Sequence, residues 1–223
     1  MSTIGTIEVF FAETTDLLAE YSRLETYIEK NEKLRAEKLR IKEDRETFLV
    51  CHALLRKILA KKLNTCPAGI IFTTDISMKP GLPGNPLFFN ISHTREAFAF
   101  AVSEHTEVGI DLEQTDRDFD FKPLIRRFFS SREGEFILES PEESRDRFFF
   151  LWTRKEALLK AAGTGITENL SQSEVLESEY VTKYFGHYLY TKRVLDYFIS
   201  VATPQKAKIV FHCLNNKTFK DFL

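Results

Sequence analysis

Twice along this chain a long helical pattern gives way to short runs rich in aromatic and β-branched residues, and that order points to paired layers of helix and sheet. The first copy opens with a strand-like run over residues 4–12, followed by helix signals from 15 to 63. From Asp44 onward, Phe48, Cys51, Leu55, Ile58, Leu59 and Leu63 recur at three- and four-residue spacing, the mark of an amphipathic helix. Arg45, Arg56, Lys57 and Lys61 read as its solvated face. A loop from Met78 to Pro86 holds three prolines and two glycines. Two strand-like runs, "LFFNIS" and "AFAFAVS", follow it, with His93 to Glu96 as the turn of a hairpin.

The second copy has its own start signals. "SSREGEF" offers a capping box, Ser130 with Glu133 three residues on. "SPEESRDRF" offers another, in which Ser140, Pro141 and Glu143 predict the start of a helix of about twenty residues ending at Gly163. The runs "YFGHYLYTKRVLDYFISVATP" and "AKIVFHCL" then read as strands. The economical architecture is α+β, two similar halves over residues 1–105 and 106–223, joined near Glu104 to Glu107. No residue-by-residue repeat is visible between them.

Composition narrows the function classes. With 223 residues and 43% apolar content, the chain can bury a real core. Its 31 basic and 33 acidic residues give a formal charge of -2, which argues against a chain-wide footprint for nucleic acid. Cys51, Cys66 and Cys213 form no CxxC pair, so a reducing compartment fits best. The first residues carry no cationic leader, and the densest apolar run, "FFFLW", is too short to span a bilayer. The expectation is a soluble, cytoplasmic protein.

Three constellations carry chemistry. In "VGIDLEQT", strand alternation puts Gly109, Asp111 and Glu113 on one face, with the two carboxylates about 6.6 Å apart along the strand. Held that close, the two acids repel unless a hard divalent cation neutralises them; an ordinary strand with a wet polar face is the other reading. In "FFFLWTRKEALLKAAG", Lys155 falls in the middle of the apolar stripe, while Glu156 and Lys160 lie one turn apart on its flank. That last pair also fits a routine surface i,i+4 contact, whereas a lysine within an apolar stripe must find anions or carbonyls. Ser92 and His93 in "FNISHT" form the third, and no HExxH spacing, Walker loop or GxGxxG is present.

In this order and at these separations, "KPGLPGNPLFFNISHT", "VGIDLEQT" and "FLWTRKEALLK" resemble the three signature motifs of the 4'-phosphopantetheinyl transferases, specifically the longer Sfp-type class. The resemblance implies a pseudo-twofold duplication of two α+β halves with the active site in the cleft between them, and a monomer. It implies transfer of the 4'-phosphopantetheine arm of coenzyme A to a serine hydroxyl of an apo acyl or peptidyl carrier protein, releasing adenosine 3',5'-bisphosphate. By motif position, Asp111, Glu113 and Glu156 would hold Mg²⁺. Lys160 and His93 would contact phosphate, Ser92 and Lys79 would line the coenzyme pocket, and Glu156 would act as base, ligand or both. Sfp-type relatives often carry an arginine three residues after the aspartate matching Asp44. Thr47 stands there, so Arg45, Lys33 or Arg35 would supply the charge for the 3'-phosphate.

The segment "FKPLIRRFFSSRE" is the candidate carrier dock, with Lys122, Arg126, Arg127 and Arg132 around Phe128 and Phe129, read as exposed; a charged helix start with its phenylalanines in the core fits equally. Two other classes use the same residues. One is a Mg²⁺-dependent hydrolase of a nucleotide pyrophosphate; the other is a non-catalytic coenzyme- or carrier-binding relative, which would not need Glu156 and Lys160.

Overall fold

A seven-residue strand with every position buried, Ala97–Ser103, forms the spine of the first sheet. In the computed structural model, residues 4–74, 79–116, 119–163, 168–176, 180–181, 186–215 and 217–219 are described. Residues 75–78, and so Met78 of the expected Met78–Pro86 loop, lie outside them. The chain divides into two units, Thr6–His105 with Ile209–Leu223 and Met1–Gly5 with Thr106–Lys208.

In the first unit, strand β1 (Gly5–Glu13) leads through short helical turns, including α1 (Tyr21–Leu24), to helices α2 (Lys30–Glu37) and α3 (Lys42–Leu63). A two-residue pair, β2 (Thr73–Thr74) and β3 (Pro80–Gly81), precedes β4 (Phe88–His93) and β5 (Ala97–Ser103). The expected hairpin forms: β4 and β5 pair antiparallel from Phe88 opposite Ser103 to His93 opposite Phe98. Thr94 closes the turn, its N–H donating to the Ala97 carbonyl at 2.8 Å and its hydroxyl accepting from the Ala97 N–H at 3.2 Å. Helix α3 buries the expected stripe from Phe48 to Leu59, leaves Leu63 partly buried, and stops where Asn64 takes a left-handed conformation (φ 51°).

Arg56 departs from expectation. Rather than facing solvent, its side chain is 1% exposed, because α2 and residues 67–70 cover that flank with a carboxylate and two carbonyls. Arg56 Nε donates to Glu32 at 2.7 Å, and Nη1 donates to the Pro67 and Ile70 carbonyls at 3.1 and 2.8 Å.

The second unit repeats the design. Strand β6 (Gly109–Gln114) is followed by α4 (Lys122–Phe128), α5 (Ser131–Leu138) and α6 (Ser144–Ala162), then β7 (Tyr180–Val181), β8 (His187–Val194) and β9 (Tyr197–Thr203). Its sheet runs β6-β9-β8-β7, and the first runs β10-β1-β5-β4, with β10 at Ala207–Cys213. In each, the strand before the helices pairs with the last strand of the following hairpin, so the α+β duplication is one of topology.

The expected division at residue 106 put the whole C-terminal remainder in the second half. Residues 209–223 instead belong to the first unit, because β10 takes the free edge of β1 and the Leu214 N–H donates to the Phe11 carbonyl at 2.8 Å. The capping box at Ser130 forms, with both reciprocal bonds to Glu133. The one at Ser140 does not: α6 starts at Ser144, and the Glu143 carboxylate is held by Arg147 at 2.7 Å instead of turning back to a backbone N–H. Gly163, at φ 67°, ends the helix as expected. Among the described residues, no helix is long and apolar enough to cross a membrane.

Gly109 sets how α6 meets the sheet. A Cβ there would lie 2.9 Å from Ala161 Cα and closer still to the Ala157 carbonyl oxygen and the Ala161 amide nitrogen. These are backbone atoms, which cannot swing aside, so the helix rests directly on β6 only because the side chain is absent. Gly109→Ala should therefore destabilise the fold by roughly 2 kcal/mol or more through overpacking, measured by urea denaturation; a change under about 0.5 kcal/mol would contradict the close approach.

Candidate active site

With α6 lying against β6, the strand's period of two and the helix's 3.6 bring acids from both elements to one place. Asp111 is buried on the face that Gly109 shares, and its Oδ1 accepts from Lys160 Nζ at 2.7 Å. Glu156, one turn before Lys160, is close enough to Asp111 to feel its charge. Glu113 lies two residues along β6, half-buried. Among the described residues, no three acidic, histidine or cysteine side chains already stand as a complete metal-ligand set. The structure thus joins Asp111, Glu156 and Lys160, with Glu113 next along the same strand face.

Electrostatics show what this cluster lacks. Burial, reinforced by the charge of Asp111 and only partly offset by Lys160, pushes the Glu156 carboxyl up to about 7. Its Oε1 is buried without a hydrogen-bond partner. A buried carboxylate oxygen with nothing to accept, beside a second acid, is a donor set that a hard cation satisfies, so these residues fit a divalent metal.

Lys155, adjacent to Glu156, has a different role from its neighbour. It is fully buried, and its ammonium meets Glu133 Oε2 at 2.9 Å and the Leu170 and Ser173 carbonyls at 2.9 and 2.8 Å. Burial lowers its pKa, and the charge of Glu133 opposes that shift. The anions and carbonyls that a lysine in an apolar stripe requires are therefore found, with Glu133 as the counter-ion. The sequence showed Glu133 only as a helix cap.

The remaining candidates lie in the first unit, where a cavity of about 660 Å³ is lined by His93, Arg35, His52, Arg56 and the rings of Phe48, Phe72 and Phe89 among others. His93 and Arg35 thus share one cavity. Lys33 does not line it and is paired with Glu25 at 2.9 Å. Arg45 is turned back to the Leu39 carbonyl at 3.1 Å. Ser92 is buried and Lys79 half-buried. Thr47 is buried too, its hydroxyl bonded to Thr14 and to the Arg95 carbonyl, both at 2.7 Å, which makes it a packing residue.

The candidate dock is corrected in its centre. Phe128 and Phe129 are 6% and 5% exposed rather than surface anchors, because α4 turns its apolar side onto the aromatic cluster of α6. Phe128 lies 5.7 Å from Trp152 and Phe129 5.6 Å from Phe148. Lys122, Arg126, Arg127 and Arg132 are exposed, and Arg132 is paired with Glu174 at 2.8 Å.

Comparison with known proteins bears directly on this arrangement. Residues 107–208, which hold the whole acid cluster, match the family model described as the 4'-phosphopantetheinyl transferase superfamily. Residues 15–108 match the 4'-phosphopantetheinyl transferase N-terminal model. The 4'-phosphopantetheinyl transferase psf-1 of Bacillus pumilus is 33% identical over 159 residues, covering 70% of this chain and 67% of that protein. The chain belongs to the 4'-phosphopantetheinyl transferase family, of the Sfp type.

Among other family members, HetI of Nostoc sp. is 36% identical over 143 residues, 62% of this chain and 60% of that protein. The 4'-phosphopantetheinyl transferase Sfp of Bacillus subtilis (strain 168) is 28% identical over 162 residues, 70% of this chain and 69% of that protein. Against HetI, the matched stretch spans a little under two thirds of the relative's length.

The raised Glu156 pKa gives a stability signature for this family member. Because the folded-state value lies above the ordinary 4.5, the native protein holds the proton longer, and stability falls as pH rises from about 4.5 to about 7. In chelating buffer at pH 8, Glu156→Gln should be more stable than wild type by about 1–3 kcal/mol, after allowing for partial solvent screening. Denaturation across pH should show this advantage shrinking steadily below pH 7; an advantage independent of pH would contradict the assignment.

Proposed function

We propose that this protein transfers 4'-phosphopantetheine from coenzyme A to a serine hydroxyl of an apo acyl or peptidyl carrier protein, as a cytoplasmic, monomeric enzyme. The observation that carries the reading is the joining of Asp111, Glu156 and Lys160 where α6 lies on β6. Asp111, Glu113 and Glu156 would hold Mg²⁺, which supplies positive charge toward a pyrophosphate.

The chain's own groups account for the rest. The carrier serine oxygen attacks the phosphorus that bears the pantetheine arm. A new P–O bond forms, and the bond to the second phosphate breaks, releasing adenosine 3',5'-bisphosphate. Glu156 takes the serine proton as general base. The Lys160 ammonium balances charge gathering on the phosphate oxygens, and positioning with electrostatics supplies most of the acceleration.

In the first unit, His93 and Arg35, which share the 660 Å³ cavity, serve as phosphate contacts, with Ser92 and Lys79 completing the coenzyme's surroundings. On the second, the exposed Lys122, Arg126, Arg127 and Arg132 form a basic rim suited to the acidic helix of a carrier. The dock is thus a charged rim without a phenylalanine anchor.

Incubation with coenzyme A, Mg²⁺ and a panel of apo-carriers, read by intact mass, should give a phosphopantetheine adduct on serine. Glu156→Gln should reduce the rate by about a hundredfold or more, the scale of a lost general base. Arg126→Glu with Arg127→Glu should raise the KM for carrier alone. Release of products from coenzyme A with no adduct on any carrier would overturn the transferase reading in favour of a hydrolase.

A further inference from the structure

The long helix of each unit carries a fully buried cation, Arg56 at 1% and Lys155 at 0% exposure, and the two are held in the same way. Arg56 in α3 bonds Glu32, donates to the Pro67 and Ile70 carbonyls just after that helix, and lies 4.9 Å from the Phe72 ring. Lys155 in α6 bonds Glu133, contacts the Leu170 and Ser173 carbonyls after its helix, and lies 5.2 Å from the Phe129 ring. Both glutamates occupy the third position of a short preceding helix, α2 or α5, where each also closes a capping box. The duplication that no residue alignment displayed is thus kept as a buried device.

The device fixes a degree of freedom that packing leaves loose. A helix resting on a sheet through small apolar groups can still turn about its own axis. Three polar anchors on one buried ammonium oppose that turning, since rotation would strand a charge in the core. The consequence is sharpest in α6, because Glu156 is the next residue. A rotation of about 20° would carry a group at the helix surface roughly 2 Å, given a helix radius of about 5–6 Å. The anchoring is itself fixed, as Glu133 Oε1 also accepts from the Val175 N–H at 2.8 Å and Arg154 Nε donates to the Val175 carbonyl at 2.8 Å.

We propose that the Lys155–Glu133 pair is a positioning device that sets the rotation of α6 and so aims Glu156 at Asp111, a role separate from its part in folding. This rests on the transferase reading for its catalytic consequence, but not for its effect on cation binding. The test compares wild type with Glu133→Gln/Lys155→Met, which removes both charges at similar volume, and with Leu189→Ala, a cavity in the same core. Mn²⁺ binding is measured by electron paramagnetic resonance without coenzyme or carrier, alongside thermal unfolding and carrier modification.

The double variant should fold, bind Mn²⁺ about ten- to a hundredfold more weakly, and lose about a hundredfold in kcat with KM for coenzyme A changed less than about threefold. Leu189→Ala should lose stability but keep its Mn²⁺ affinity within about twofold. If the double variant does not fold, Glu133→Asp takes its place and should weaken Mn²⁺ severalfold while remaining folded. Unchanged Mn²⁺ affinity in the charge-altered variant, equal weakening in Leu189→Ala, or no Mn²⁺ binding by wild type would overturn the proposal. Wild type that holds Mn²⁺ yet modifies no carrier would count against the transferase reading alone, with the Mn²⁺ titration still deciding this one.

Discussion

The absence of a side chain at Gly109 is the constraint on which the acid cluster depends. Because the backbone of α6 at Ala157 and Ala161 fills the space a Cβ would take, helix and strand approach as closely as their main chains allow. Short side chains on β6 then reach groups on α6, and Lys160 meets Asp111 at 2.7 Å. The same closeness explains the Glu156 carboxyl. Withdrawn from water and seated beside Asp111, it holds its proton to about pH 7.

Much of this was legible in the chain. Strand alternation put Asp111 and Glu113 on one face, and helical spacing placed Glu156 beside Lys160, because both periods are fixed by backbone geometry alone. The hairpin after the proline-rich loop and the stop at Gly163 were legible from local turn and cap signals. What the sequence could not display were partners distant along the chain. Arg56 looked like a surface charge because its carboxylate lies 24 residues earlier, in another helix. Phe128 and Phe129 looked exposed because they flank a basic run, yet α4 presents its other side to Trp152 and Phe148. The edge of β1 claimed by β10 is likewise a tertiary fact.

The two units show how one architecture places a cluster of acids in only one copy. Relative to the buried cation, the next residue and the fifth are Lys57 and Lys61 in α3 but Glu156 and Lys160 in α6. On the central strand pairs, Phe10 lies opposite Phe100 in the first unit and Asp111 opposite Ser200 in the second. The first pair stacks its rings at 5.1 Å and serves packing. The second unit places an acid and a hydroxyl at that position, and the Ser200 hydroxyl bonds Thr153 and Thr191, both at 2.9 Å. The fold's anchoring is duplicated, while the acids that give it a candidate chemistry are not.

The central claim is that the contact of α6 with β6 buries Glu156 close enough to Asp111 for the Asp111 charge to reinforce burial in raising the Glu156 carboxyl. It is tested most directly by following the Glu156 side-chain carboxyl by carbon-13 NMR across pH, in chelating buffer, for wild type and Asp111→Asn. The account predicts a midpoint near 7 in wild type and a clearly lower one in the variant, because the neighbouring negative charge has gone. A wild-type midpoint near the ordinary 4.5, unmoved by the substitution, would contradict it.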